Sequence, residues 1–107
     1  MRRTLLTVFC FVAVTTAASS AVATEHVIAQ QGKAFSTKTL TAKVGDTLNF
    51  RNDDPFVHNI FSLSDIQSFD LGTFAKGEVR QVKLTKPGKV EIECAVHPEM
   101  KLVVEVQ

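Results

Sequence analysis

The chain has 107 residues, of which 45% are hydrophobic and 21% charged, and its 12 basic residues nearly balance 11 acidic ones. Binding to nucleic acid or to anionic lipid needs a basic excess, so the balanced charge argues against both. The length is enough for one small domain with a single hydrophobic core and too short for two.

The first 23 residues have the features of a secretory signal peptide. Arg2 and Arg3 charge its start, and residues 5–18 are apolar and uncharged. Ala21-Val22-Ala23 then forms a small-x-small cleavage site. We therefore expect residues 1–23 to be removed and residues 24–107 to form one exported, periplasmic domain. The apolar stretch falls short of the roughly 18 residues of a spanning helix, so we expect no stable membrane insertion.

Short apolar runs separated by turn residues dominate residues 24–107, and none keeps a helical periodicity for long. Several of them alternate apolar and polar residues, as half-buried strands do. The pattern predicts an all-β fold, a Greek-key antiparallel β-sandwich of about seven or eight strands. The candidate strands are Val27–Ala29, Phe35–Ala42, Thr47–Arg51, Val57–Phe61, Val79–Leu84, Val90–Cys94 and Lys101–Val106.

The segment from Ser62 to Gly77 does not fit this pattern as easily. It is too long for a hairpin turn and carries its own apolar residues, Phe69, Leu71 and Phe74. Connections of this length that carry apolar residues usually pack against the domain or have a functional role. We predict a short helix or an irregular flap packed by these three side chains.

Three side chains with affinity for metals follow one another near the end of the chain. Cys94 is the only thiol in residues 24–107, and the alternation from Val90 onwards turns it towards the core at a strand end. His97 and Met100 follow at intervals of three, in the loop before the last strand. A Cys thiolate, two His nitrogens and a weak Met sulfur form the electron-transfer site of copper proteins, and His58 can supply the second nitrogen.

Each of these residues also has an ordinary interpretation. A lone buried Cys often acts as a small hydrophobe, and Met is a common core residue. A single partly buried His is equally common. The combination of all four residues at these positions in a small sandwich favours the metal site.

Two motifs resemble the cupredoxins, the type 1 blue copper family that includes plastocyanin, pseudoazurin and amicyanin. They are Asp54-Pro55-Phe56-Val57-His58-Asn59 and Cys94-Ala95-Val96-His97-Pro98-Glu99-Met100, the second being similar in length to the short ligand loop of amicyanin. The resemblance covers essentially all of residues 24–107.

The resemblance implies one copper ion per chain. Its ligands would be the imidazoles of His58 and His97, the thiolate of Cys94 and, on the axis, Met100. Asn59 would lie beside them, tie its loop to the Cys94 loop and donate its backbone N–H to the thiolate sulfur. Val57 departs from the Pro of plastocyanin and amicyanin, which leaves a backbone N–H free for a second hydrogen bond to the sulfur.

Other residues near the motifs receive simpler interpretations. We expect Phe56 and the apolar residues of the Cys94 loop to form a small rim around His97 for docking a redox partner. Asp53 and Asp54 are interpreted as turn residues before Pro55. His26 is expected to be a solvated residue near the mature terminus and is left out of the site.

These observations predict an exported, monomeric electron carrier with no enzyme activity, since four protein ligands leave no open position for a substrate. The amicyanin-like loop suggests a dehydrogenase as electron donor and a c-type cytochrome as acceptor. One alternative is a periplasmic copper-binding or delivery protein that does not shuttle electrons. A third interpretation is an interaction module with an incidental thiol.

Overall fold

The computed structural model describes Thr4, residues 7–15 and residues 22–107. Arg2, Arg3 and Ala21, on which the signal-peptide prediction partly depends, lie outside the described residues. Within the described part, no helix is long and apolar enough to cross a membrane.

The described residues form eight strands arranged in two sheets. The smaller sheet has the order β1-β3-β6, and the larger has the order β2-β8-β7-β4-β5. The predicted all-β sandwich is confirmed. The strands are β1 (Glu25–Gln30), β2 (Thr39–Ala42), β3 (Thr47–Asn52), β4 (His58–Ser64), β5 (Gln67–Phe74), β6 (Val79–Lys83), β7 (Gly88–Glu93) and β8 (Lys101–Val106).

Both sheets are mixed rather than purely antiparallel. The pair β1 and β3 and the pair β2 and β8 run parallel, whereas the remaining neighbours run antiparallel. Parallel neighbours cannot be joined by a tight turn. The strands of these two pairs are accordingly not consecutive in the chain. Local sequence patterns carry no information on such pairings.

The core lies between the sheets and is built by strand alternation. Leu48 and Phe50 of β3 are fully buried, as are Val90 and Ile92 of β7. Cys94 continues the buried face of β7 one residue beyond the strand, with 1% of its surface exposed, as the alternation predicts. Full burial of an aliphatic or Phe side chain is worth about 1.5–3 kcal/mol, so these residues hold the sheets together.

The segment from Ser62 to Gly77 differs from its prediction. It forms a regular hairpin, in which β4 turns at Asp65 and Ile66 into β5 at the sheet edge. The predicted short helix or flap is therefore wrong, but the packing is as expected, since Phe74 is buried and Phe69 and Leu71 pack against the core. A register shift in the pairing of β4 with β5, together with Gly72 at a φ of 73°, interrupts the alternation of β5 and hides the strand in the sequence.

The fold brings the two predicted ligand segments to one end of the larger sheet. Strand β4 begins at His58, and strand β7 ends at Glu93, next to Cys94. The strands are antiparallel neighbours that pair at Phe61 and Glu93. The start of one therefore lies beside the end of the other.

Candidate metal centre

Three side-chain donors converge at this end of the sheet. Cys94 Sγ lies 3.6 Å from His58 Nδ1 and 3.8 Å from His97 Nδ1, and the two nitrogens are 3.2 Å apart. His58 and Cys94 are buried, and His97 is half-buried. The structure thus places three of the four sequence-predicted ligands in one triangle.

The triangle has the size of a metal site. A point equidistant from the three atoms lies about 2.1 Å from each of them. Bonds from imidazole nitrogen and thiolate sulfur to zinc, another divalent ion of the same row, measure about 2.0–2.1 Å and about 2.3 Å. Two imidazole nitrogens and a sulfur also form the donor set that suits copper. The donor set therefore fits a copper ion.

Met100 ends the loop that carries His97. It is buried, with 1% of its surface exposed, and its N–H donates to the His97 carbonyl over 2.9 Å. The four residues from His97 to Met100 thus close into a turn. The fourth predicted ligand therefore has its side chain in the core, at the end of the loop that carries His97.

The buried His58 is held from its far side by a carboxylate. Its Nε2 lies 2.6 Å from Asp54 Oδ2, and both side chains are almost inaccessible to solvent. Burial works against the ionised form of Asp54, but the hydrogen bonds from His58, Gly32 and Lys33 outweigh it, so the pKa of this carboxyl lies below its usual value. An ionised Asp54 can only accept a hydrogen bond, so it pairs with the Nε2–H of His58. In a neutral imidazole the lone pair is then on Nδ1, which faces Cys94.

The sequence predicts only a turn residue at Asp54, and the structure corrects this. Asp54 does lie in a turn, where its N–H donates to Asn52 Oδ1 over 2.8 Å, but its carboxylate points inwards to His58. The signal in the sequence is an acidic residue four positions before a predicted ligand His. Asp53, by contrast, pairs with Arg51 at the surface, in agreement with its interpretation.

The backbone of Asn59 contacts the sulfur. Its N–H donates to Cys94 Sγ over 3.4 Å, where the resemblance places it. The side chain behaves differently, since Asn59 Nδ2 donates to Asp70 Oδ1 on β5 over 3.1 Å rather than tying β4 to the Cys94 loop. Among the hydrogen bonds of the described residues, none joins Val57 to the sulfur.

A small apolar surface surrounds His97. The ring of Phe56 packs against both imidazoles, with centroid distances of 5.3 Å to His58 and 5.2 Å to His97. Val57 and Val96 are about half exposed beside it. We call Phe56, Val57 and Val96 the apolar rim. It shields the inner donors from water and leaves His97 near the surface.

His26 differs from its prediction as a solvated residue. It is half-buried in β1, and its Nε2 lies 2.9 Å from Asp46 Oδ2. Asp46 also accepts the backbone N–H groups of Thr24 and Lys43, over 2.9 and 3.0 Å. His26 therefore belongs to a structural cluster near the start of the domain and does not join the metal-site donors.

Known proteins resemble the chain over nearly all of the sandwich. The methylamine utilization protein MauL of Methylorubrum extorquens is 29% identical over 103 residues, which are 95% of this chain and 90% of that protein. A reduced variant of amicyanin is 24% identical, with a TM-score of 0.72 over 84% of this chain and 88% of that one. A copper-containing nitrite reductase from Thermus scotoductus is 29% identical, with a TM-score of 0.69; the match takes in 90% of this chain and 25% of the enzyme.

The predicted family membership is confirmed by the sequence profile of the copper-binding proteins of the plastocyanin/azurin family. That profile matches residues 22–107, which include both motifs and all eight strands. The chain belongs to the plastocyanin/azurin family of copper-binding proteins.

Proposed function

We propose that this protein is an exported one-electron carrier whose type 1 copper is held by His58, Cys94, His97 and Met100. The observation that carries the proposal is the triangle of two imidazole nitrogens and one thiol sulfur, of a size that fits a metal ion. The protein is a carrier and not an enzyme, as its family membership indicates.

When bound, copper supplies the couple between Cu(II) and Cu(I), with sulfur donors suited to Cu(I) and imidazole to both states. The protein's part is to keep the donors in one place. Cys94 sits in the core, and His58 is fixed from behind by Asp54. The turn from His97 to Met100 is closed by a hydrogen bond. Donors that move little when the charge changes allow fast electron transfer.

Electrons enter and leave through His97, the donor nearest the surface. The apolar rim around it suits brief encounters with a redox partner, because a small apolar patch buries little area and releases quickly. An electron carrier acts with redox partner proteins. We propose a dehydrogenase as donor and a c-type cytochrome as acceptor, which the amicyanin-like loop and the similarity to a methylamine utilization protein support.

We also propose that residues 1–23 are a cleaved signal peptide and that the mature domain is periplasmic. The anchored backbone starts at Thr24, whose N–H donates to Asp46 and whose carbonyl accepts from the Thr47 N–H over 3.0 Å. Mass spectrometry of the protein exported by a bacterial host tests this. A mature mass that begins at Thr24 is expected, and retention of the first 23 residues contradicts it.

The copper site is tested by adding Cu(II) to residues 24–107. We expect an intense visible absorption from the thiolate-to-copper transition and an EPR spectrum of one copper per chain. The chain contains no Trp or Tyr, so the near-ultraviolet background is low. Cys94→Ala should fold but stay colourless. A colourless wild-type protein that folds correctly refutes the site.

Carrying electrons is distinguished from copper delivery by two rates measured on the same sample. Electron self-exchange between oxidised and reduced protein should be fast, and transfer of copper to a competing chelator should be slow. The buried positions of His58 and Cys94 are the reason to expect slow release. Rapid copper loss with slow self-exchange would point to delivery instead.

A further inference from the structure

We infer that Asp54 is a positioning residue for the copper site, which fixes the orientation of His58 and lowers the reduction potential by placing a negative charge behind it. The inference rests on the proposed function, because it takes His58 Nδ1 as a copper ligand. The geometry that supports it is present without the metal.

The carboxylate of Asp54 is fully engaged inside the protein. Its Oδ2 lies 2.6 Å from His58 Nε2 and accepts the Lys33 N–H over 3.2 Å, and its Oδ1 accepts the Gly32 N–H over 2.8 Å. The side chains of Asp54 and His58 are 6% and 0% exposed. A buried carboxylate is costly unless it is hydrogen-bonded on all sides, so this arrangement indicates more than a turn residue.

The anchor of Asp54 comes from a turn in a different part of the chain. Gly32 and Lys33 both have positive φ, 65° and 55°, and their successive N–H groups converge on the carboxylate. Concave backbone sites of this kind bind anions. Lys33 is the non-glycine residue in the described part that takes a left-handed conformation, and such strain tends to be kept where it serves a site.

This anchor leaves His58 one choice of proton position and little freedom to rotate. With Nε2–H donated to Asp54, the lone pair of Nδ1 points at the triangle. Carboxylate groups behind a ligating His orient the ring and increase its basicity. A fixed negative charge near the metal also favours the more positive Cu(II) over Cu(I), so it holds the reduction potential down.

Two substitutions at Asp54 separate charge from orientation. Asp54→Asn keeps an oxygen acceptor of the same size and removes the charge, whereas Asp54→Ala removes the hydrogen bond as well. Asp53→Asn is the matched control, since it removes the same charge one residue away, from a carboxylate paired with Arg51 at the surface.

The reduction potential is measured for each copper-loaded protein by voltammetry. We expect Asp54→Asn to increase the ratio of Cu(I) to Cu(II) at a fixed applied potential at least tenfold. For a one-electron couple this corresponds to a rise of the reduction potential of about 59 mV. Asp54→Ala should in addition lose about 10–100-fold in Cu(II) affinity. Asp53→Asn should change neither quantity by more than a small factor. The inference is overturned if both Asp54 variants have the same reduction potential as Asp53→Asn.

A second measurement needs neither copper nor a substitution. Nitrogen-15 NMR of the histidine side chains in the metal-free wild-type protein reports which ring nitrogen carries the proton. We expect His58 to be protonated at Nε2, and protonation at Nδ1 alone overturns the inference even if the variants do not fold. If the protein binds no copper but His58 shows the expected tautomer, the proposed function fails and the positioning by Asp54 stands.

Discussion

Gln30 offers a direct test of what an unpaired polar group costs the core, because its side-chain amide is buried without a hydrogen-bond partner. The side chain is fully buried at the end of β1, and neither its oxygen nor its nitrogen has a hydrogen-bond partner. In mutational studies of proteins, an unpaired buried amide lowers the free energy of unfolding by about 1–3 kcal/mol. Methionine has a similar length and no polar hydrogen to satisfy, so Gln30→Met should recover about 1–3 kcal/mol of stability.

The gain at Gln30 is measured by thermal unfolding of the metal-free domain. For a domain of this size, each kcal/mol moves the Tm by about 4–8 °C, so we expect a rise of at least about 4 °C. Gln31→Met is the control, since Gln31 is exposed and should leave the Tm nearly unchanged. A Tm that falls in Gln30→Met would refute the reasoning and indicate a buried water that satisfies the amide.

Three further predictions concern acid stability, metal binding and docking. Hydrogen bonds from His26 and from two backbone N–H groups lower the pKa of Asp46 from 3.8 to about 2. The ionised carboxylate therefore stabilises the folded state above about pH 4, and this stabilisation is lost as the pH falls to about 2. The free energies of unfolding of wild type and Asp46→Asn, measured as a function of pH, should therefore differ above that interval and converge within it. Cu(II) at roughly 1,000 times its Kd should stabilise the wild type by about 4.1 kcal/mol in calorimetry, with most of the gain absent from Cys94→Ala. Val96→Asp places a charge in the apolar rim and should slow electron self-exchange several-fold without changing the visible spectrum. The control is Val44→Asp, which is similarly exposed but lies beside the far end of β8 and should leave self-exchange unchanged.

The strands that alternate cleanly were predictable from the sequence. The run from Lys101 to Val106 matches β8 at both ends, and the alternation of Val90, Ile92 and Cys94 gave the inward position of the thiol. These features depend on residues close together in the chain. Strand β5 was missed because its alternation is broken by the register shift and Gly72, which depend on its pairing with β4.

The convergence of His58, Cys94 and His97 was also predictable, because Cys94 and His97 lie with Met100 on one short loop. Their chemistry and spacing mark the loop without knowledge of the fold. The role of Asp54 was not predictable in the same way, since the N–H groups that hold its carboxylate belong to Gly32 and Lys33, more than 20 residues away. The local pattern before Pro55 is good turn chemistry, and this simpler interpretation concealed the inward carboxylate.

The Asp46 cluster holds the backbone at the residue where the mature chain is proposed to begin. Asp46 accepts the Thr24 N–H over 2.9 Å, and in the precursor that nitrogen is an ordinary amide. If residues 1–23 are removed as proposed, the same nitrogen becomes the charged terminal ammonium. The hydrogen bond to the carboxylate then becomes charge-assisted at both ends, which makes it shorter and stronger. Cleavage before Thr24 would therefore stabilise the folded domain, and the mature protein is expected to unfold at a higher temperature than its precursor.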